Sequence, residues 1–430
     1  MKASFRLIVT VILIAEASLL LRRHKPRIIA VSGSVGKTTT KDAIFAAIKN
    51  NVYARKSDKS FNSEIGVPLT VLGLPNAWNN PFFWFRNLVE GFFLACFSRS
   101  YPEVLILETG IDRPGDMEKL AHWLKPDIVV LTRLPEVPVH VEYFPSPTAV
   151  IDEKMKIVQA LQPDGVFIYN SDDILIEGRL PEILQRKIGF GRYRETDFTI
   201  RTDSTVYEDD QPAGTRCTLQ HFGNSYDISV EGVVGTQLAY ACGAAVAVAD
   251  ELSVPIDAAV ASLKELHTAS GRMRLIKGVK STLIIDDTYN ASPVAVEQAL
   301  NTLREIKHTT RKITVLGDML ELGKFSTEEH RRIGALIPEV AGVLLTVGVR
   351  ARAIAEGALA AGMSEKNIFQ YDDAQKAGRE LQSILQPGDI VLVKASQGIR
   401  AERIVEEIMS EPLQAEELLV RQEKDWRDIA

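Results

Sequence analysis

Seven consecutive residues, Gly33-Ser34-Val35-Gly36-Lys37-Thr38-Thr39, stand between the apolar run IIAVS (28–32) and a helix-forming stretch that reaches about Lys49. In that order they make a phosphate-binding loop. Glycines let backbone N–H groups approach phosphate oxygens, and a helix N-terminus adds positive field. Lys37 reaches the β- and γ-phosphates, and the Thr38 hydroxyl is a ligand for Mg²⁺. The spacing is shorter than the common G-x-x-x-x-G-K-T, because Val31 occupies the place of the first glycine. Further along stand Glu108 at the end of an apolar run, His140, Lys154 and Asp287. Singly, these would read as a helix-cap partner, a loop histidine, a solvated lysine and a turn former. Placed in order behind a phosphate loop, they become candidates for metal and phosphoryl chemistry.

The elements that must carry these residues alternate between strand and helix. Apolar runs at 28–33, 103–110, 127–133 and 165–170, with helical stretches at 37–49 and 147–161, predict a parallel sheet covered by helices. Residues 197–233 instead alternate over short strands with turn signals, which predicts an antiparallel flap, closed by helices near 238–250 and 256–266. A second alternating series, with strands at 281–287, 312–318, 342–348 and 389–396, predicts a separate Rossmann-like domain joined near Ser270–Gly271. The expected organisation is an α/β protein with an N-terminal apolar helix (1–26), a P-loop ATPase domain (27–270) and a C-terminal α/β domain (271–430).

Charge and cysteine content narrow the partners. Lys and Arg total 50 against 56 Asp and Glu, a net charge of −6, so no global basic field favours nucleic acid. Cys96, Cys217 and Cys242 are widely spaced, which suggests neither a disulfide framework nor a zinc site and points to a reducing compartment. Phe5 to Leu21 is almost wholly apolar, broken by Arg6 and Glu16, and is followed by Arg22, Arg23, His24, Lys25 and Arg27. This run is read as a membrane anchor, with the basic cluster holding the remaining chain on the cytoplasmic face. A second aromatic-rich stretch, 80–101, reads equally as an interfacial helix or a helix packed on the domain.

The short G-x-x-G-K-T-T loop resembles that of the Mur ligase superfamily, ATP-dependent enzymes that join amino acids to a carboxylate. Similar segments follow in order: KSFNSEIGVP (59–68), ETG (108–110), VPVHVEYF (137–144), IDEKMKIV (151–158), GR (271–272), DDTYNASP (286–293), GDMLELG (317–323) and VKAS (393–396). The resemblance implies that Gly33 to Thr39, Asn62, Arg272, Asp287 and Asn290 hold ATP. It implies that Thr38, Glu108, His140 and a carbamylated Lys154 hold two Mg²⁺ ions, and that Lys37, His140, Lys154 and Arg272 serve catalysis. YNASP and GDMLELG are most similar to the members that add D-alanyl-D-alanine to a muramoyl-tripeptide carboxylate through an acyl phosphate, for peptidoglycan precursors. The alternatives are a membrane-anchored poly-γ-glutamate-type amide ligase and a non-catalytic nucleotide-binding scaffold.

Two departures stand out. The helix after the flap usually carries G-x-H-N-x-x-N in this superfamily, with its asparagines near the adenine. Here Gly235-Thr236-Gln237-Leu238-Ala239-Tyr240-Ala241 lacks both, which leaves Gln237 or Tyr240 to substitute. The 26 residues before the first strand hold no counterpart of the UDP-sugar-binding domain, and a muropeptide met at the membrane surface is the expectation that follows.

Overall fold

The structure is a computed structural model that describes residues 3–57, 61–78, 80–307, 311–423 and 426. Lys59 and Ser60, the first residues of the segment at 59–68, lie outside them. In the first unit the strands are β1 (Arg27–Ser32), β2 (Ala54–Lys56), β3 (Val104–Glu108), β4 (Ile128–Leu131), β5 (Val166–Asn170), β6 (Arg186–Gly191), β7 (Phe198–Glu208), β8 (Gln211–His221) and β9 (Asn224–Glu231). They form one nine-stranded sheet in the order β2-β3-β1-β4-β5-β6-β7-β8-β9. The pairs from β2 to β7 are parallel, and β7, β8 and β9 pair antiparallel. The antiparallel segment is thus an extension of the parallel sheet.

Both faces of the parallel part are covered, which is why its strands read as continuous apolar runs. Along β1, Ile29 and Val31 join a core with Ile44 and Val246 on one side, and Ile28 and Ala30 join a core with Leu13 and Val67 on the other. The helices of this unit are α1 (Ala3–His24), α2 (Lys37–Ile48), α3 (Gly66–Leu72), α4 (Pro81–Phe97), α5 (Asp116–Leu124), α6 (Pro147–Gln159), α7 (Ile174–Glu177), α8 (Thr236–Glu251) and α9 (Ile256–Leu263).

The second unit holds β10 (Arg274–Lys277), β11 (Leu283–Asp287), β12 (Lys312–Gly317), β13 (Val343–Val347), β14 (Ile368–Tyr371) and β15 (Ile390–Lys394). Their order is β10-β11-β15-β12-β13-β14, parallel except for the edge strand β10. Helices α10 (Pro293–Glu305), α11 (Ser326–Leu336), α12 (Arg352–Ala360), α13 (Ala374–Ile384), α14 (Glu402–Ile408) and α15 (Ala415–Leu418) accompany it. One hydrophobic cluster runs across the two units, from Val234 and Leu238 to Met273, Ala291 and Val296. The C-terminal ends of β1 and β3 thereby face those of β11 and β15.

The N-terminal helix corrects the membrane-anchor expectation. Among the described residues no helix is long and apolar enough to cross a membrane. Arg6, Glu16, Arg22 and Arg23 fall within α1, and Val9, Leu13, Ala17 and Leu20 are buried against the domain, where α1 packs on α3 and α4. The orientation argued from an anchor at 5–21 falls with it. The stretch at 80–101 forms a helix, α4, that packs on the domain along one face. Trp84, Asn87, Gly91 and Ala95 form the buried stripe of α4, Asn80 caps it by accepting from the Phe82 and Phe83 N–H groups, and Asn87 Nδ2 donates to the Pro75 carbonyl at 2.7 Å. Phe82, Phe85, Phe92, Phe93 and Phe97 remain exposed on its other face.

Glu16 sits at the contact between α1 and α4, where a Cβ on Gly91 would come within 2.3 Å of its Oε2. Burial pushes its carboxyl up to about 7. An acid raised in the folded state favours folding most below its unfolded value near 4.5, and that advantage is lost as pH rises through 7. Glu16→Gln is therefore expected to raise the melting temperature at pH 8 and leave it nearly unchanged at pH 4.5, as followed by thermal denaturation. An equal shift at both values would contradict the account.

Candidate active site

The loop between β1 and α2 owes its shape to two glycines. Gly33 (φ 133°) lies so close to Thr132 that a Cβ would meet its Oγ1 at 2.1 Å, and Gly36 (φ 85°) turns the chain into α2. The Ser34 N–H donates to the Arg133 carbonyl at 2.7 Å, and Thr132 Oγ1 donates to the Val35 carbonyl at 2.7 Å, so the residues that follow β4 brace the loop. Lys37 Nζ and Lys154 Nζ both donate to the Gly33 carbonyl, at 3.0 and 3.3 Å. Two amino groups therefore share one acceptor. Desolvation lowers the pKa of each. Lys37 is also raised by Glu108 and lowered by Arg272, and Lys154, lowered further by Lys37, falls to about 7.

Glu108 ends β3 directly beside β1, in register with Val31. It is buried, and its two oxygens accept from Thr38 Oγ1 at 2.9 Å and Asn62 Nδ2 at 3.3 Å. Glu108 and Thr38 offer hard oxygen donors beside the phosphate loop, which suits Mg²⁺. Among the described residues no three His, Cys, Asp or Glu side chains gather into a metal cage. The pair fits a cation that completes its shell with phosphate oxygens and water. His140 lies in the left-handed region (φ 71°), with Nδ1 2.8 Å from Glu321 Oε2 and Nε2 3.8 Å from Asp112 Oδ1. The His140 imidazole beside it holds the Glu321 carboxyl below its usual range.

From the second unit, Arg272 reaches across and donates from Nη2 to Thr38 Oγ1 at 3.2 Å. Its guanidinium lies 4.1 Å from the centre of the Tyr289 ring. Gly271 (φ 69°) makes this turn feasible, because a Cβ there would lie 2.9 Å from the Tyr289 nitrogen. Asp286 fixes the turn: its Oδ2 accepts from the Gly271 N–H at 3.1 Å, and burial pushes its carboxyl up to about 6. Its neighbour Asp287 forms a 2.5 Å ion pair with Lys394, its register partner on β15, and Lys394 Nζ also donates to the Asn290 carbonyl at 2.9 Å.

A single cavity of about 340 Å³ gathers these groups. Every site residue expected from the sequence lines it except Gly33, which takes part through its carbonyl. Gln237 lines both this cavity and a smaller one of about 100 Å³ behind the loop, where Tyr240 O–H donates to Asp172 at 2.7 Å. Four residues that touch the site were outside the expected set. Lys394, Asp286 and Glu321 were legible as members of the motifs VKAS, DDTYNASP and GDMLELG, whereas Asp112 carried no signal of its own.

The pattern of the Mur ligase middle domain matches residues 90–249, and that of the Mur ligase glutamate ligase domain matches residues 271–397. The UDP-N-acetylmuramoyl-tripeptide--D-alanyl-D-alanine ligase of Bacillus subtilis (strain 168) is 31% identical over 391 residues, covering 90% of this chain and 77% of that protein. The chain belongs to the Mur ligase family. A Mycobacterium leprae (strain TN) ligase of the same name is 29% identical, over 86% of this chain and 71% of that one. Among solved structures, MurF ligase from Thermotoga maritima in complex with ADP superposes with a TM-score of 0.76 at 24% identity, covering 95% of this chain and 84% of that one. Folylpolyglutamate synthase of Mycobacterium tuberculosis, complexed with ADP, gives 0.61 at 15% identity, over 90% and 93% of the two chains. At those identities the likeness is one of fold, a Mur ligase fold shared across different substrates.

The Asp287–Lys394 pair gives a direct test of how the second unit is held. Asp287→Ala leaves a buried ammonium without its counter-charge and should lower unfolding stability by ~3 kcal/mol. Replacing both partners, Asp287→Ala with Lys394→Met, should recover most of that loss in urea denaturation. Additive losses would mean that the pair is uncoupled.

Proposed function

We propose that this chain is an ATP-dependent ligase that joins D-alanyl-D-alanine to the carboxylate of a muramoyl-tripeptide, with ADP and phosphate as products. The observation that carries the reading is the hydrogen bond from Arg272 to Thr38, which joins the second unit to the phosphate loop within one cavity. Ligases of this name from Bacillus subtilis and Mycobacterium leprae support the choice of substrates. Residues 27–270 serve as the ATP-binding domain in this reading, and 271–430 as the domain that closes on it.

The chemistry follows from what faces the cavity. A substrate carboxylate oxygen attacks the γ-phosphorus, the bond to the β-γ bridging oxygen breaks, and ADP leaves. The amine then attacks the acyl carbon, the phosphate leaves with its bonding electron pair, and the amine loses a proton. Lys37 and Arg272 stabilise the charge that builds on the transferring group. Backbone N–H groups of Gly33 to Thr39, with Asn62, Asp287 and Asn290, position the nucleotide, and Gln237 and Tyr240 approach the base. Thr38 and Glu108 would hold a Mg²⁺, which neutralises phosphate charge when bound. His140 fits a second cation only with a further anionic donor, and carbamylation of Lys154 would supply one. That lysine suits the modification, because a group lowered to about 7 is largely a neutral, nucleophilic amine at pH 8.

Mass spectrometry of a reaction holding ATP, Mg²⁺, UDP-muramoyl-tripeptide and D-alanyl-D-alanine should find the pentapeptide product with equimolar ADP. Lys37→Ala should lower kcat by roughly 10³. Amide formation from glutamate but not from the dipeptide would contradict the substrate assignment, and product formation unchanged by Lys37→Ala would contradict the mechanism. For Lys154, isotopically labelled bicarbonate should give a carbamate NMR signal that is absent from Lys154→Arg. A fully active enzyme without that signal would exclude the modification.

A further inference from the structure

A second cavity, of about 490 Å³, adjoins the nucleotide cavity, and Asn62, Asp112, His140, Asn290 and Gln397 line both. Charged side chains of both signs line it. Beside His140, next to the nucleotide cavity, stand Asp112 and Glu321. Away from it, Arg6 of α1 forms a 3.1 Å ion pair with Glu64. Arg113 also lines the space, with its guanidinium 3.3 Å from the centre of the Tyr143 ring and its charge helping to hold the Glu321 carboxyl down, so Asp112 and Glu321 are only partly balanced there. Asp116 belongs to the local fold, since its Oδ2 accepts from the Asp112 and Arg113 N–H groups.

Resting on the ligase reading, we propose that this cavity seats the amine substrate as a zwitterion, and that Arg6 binds its carboxylate. The acidic end beside His140 attracts an ammonium and brings the nitrogen next to the site where the acyl group is activated. The carboxylate then extends toward Arg6. Half-exposed ion pairs contribute little, about 0–1 kcal/mol, so a substrate carboxylate can take the place of Glu64 at small cost. Arg6 is presented by a fixed helix, because Val9, Leu13 and Ala17 of α1 are buried in the domain. It also lies outside both matched family segments, 90–249 and 271–397, so neither pattern assigns it a role.

Steady-state kinetics with D-alanyl-D-alanine and its C-terminal amide test this on the full chain. Arg6→Met should raise KM for the dipeptide roughly tenfold with kcat little changed, and should abolish the preference for the dipeptide over its amide. Glu64→Gln, which frees Arg6, should lower the dipeptide KM. A preference unchanged in both variants overturns the assignment. A KM increase confined to the muramoyl-tripeptide also overturns it, placing the arginine on the acid substrate. A wild-type chain that forms no amide with either compound sinks the ligase reading itself, a result distinct from an active enzyme indifferent to Arg6.

Discussion

Everything at this site depends on holding basic groups together in a desolvated space. Lys37 and Lys154 converge on the Gly33 carbonyl, and Arg272 arrives from the other unit on Thr38. Each lysine is lowered first by its own burial and then by a neighbouring cation, while Glu108 and Asp112 offset only part of that cost. Such a cluster is poorly matched to an empty cavity and well matched to a polyanion. The glycines at 33, 36 and 271 and the buried Asp286 are the backbone devices that let these side chains approach. The hydrophobic cluster shared by the two units holds the approach in place.

This dependence explains which features were legible in the sequence. Phosphate-loop residues are consecutive, and Glu108 and Asp287 end apolar strands, so position along the chain predicts their place at the C-terminal edge of a sheet. The alternation of strands and helices was readable because both faces of each parallel sheet are buried. Glu321 and Asp112 could not be found that way, since they meet His140 from loops far apart in the chain. Short edge strands such as β2 and β10 were also missed. They are three and four residues long, and half-buried partners with charged side chains leave little apolar pattern to read.

The reading of α1 failed for a different reason. A run of apolar residues records how much hydrophobic surface exists, but not what covers it. Here α3 and α4 cover one side of the helix, and the small Gly91 lets α4 approach closely enough to enclose Glu16. The same docking presents Arg6 beside the second cavity. An apparently separate N-terminal segment thus becomes a wall of the site. Of its two charged interruptions, Arg6 lines the second cavity and Glu16 meets α4 at Gly91.

If the cation cluster is the organising feature, affinity must follow the phosphate charge of the nucleotide. Isothermal titration of the full chain with a non-hydrolysable ATP analogue and with AMP, both with Mg²⁺, measures this directly. The analogue should bind at least ~100-fold more tightly than AMP, with a difference that shrinks as salt is raised. Equal affinities, independent of salt, would contradict a site built around the phosphates.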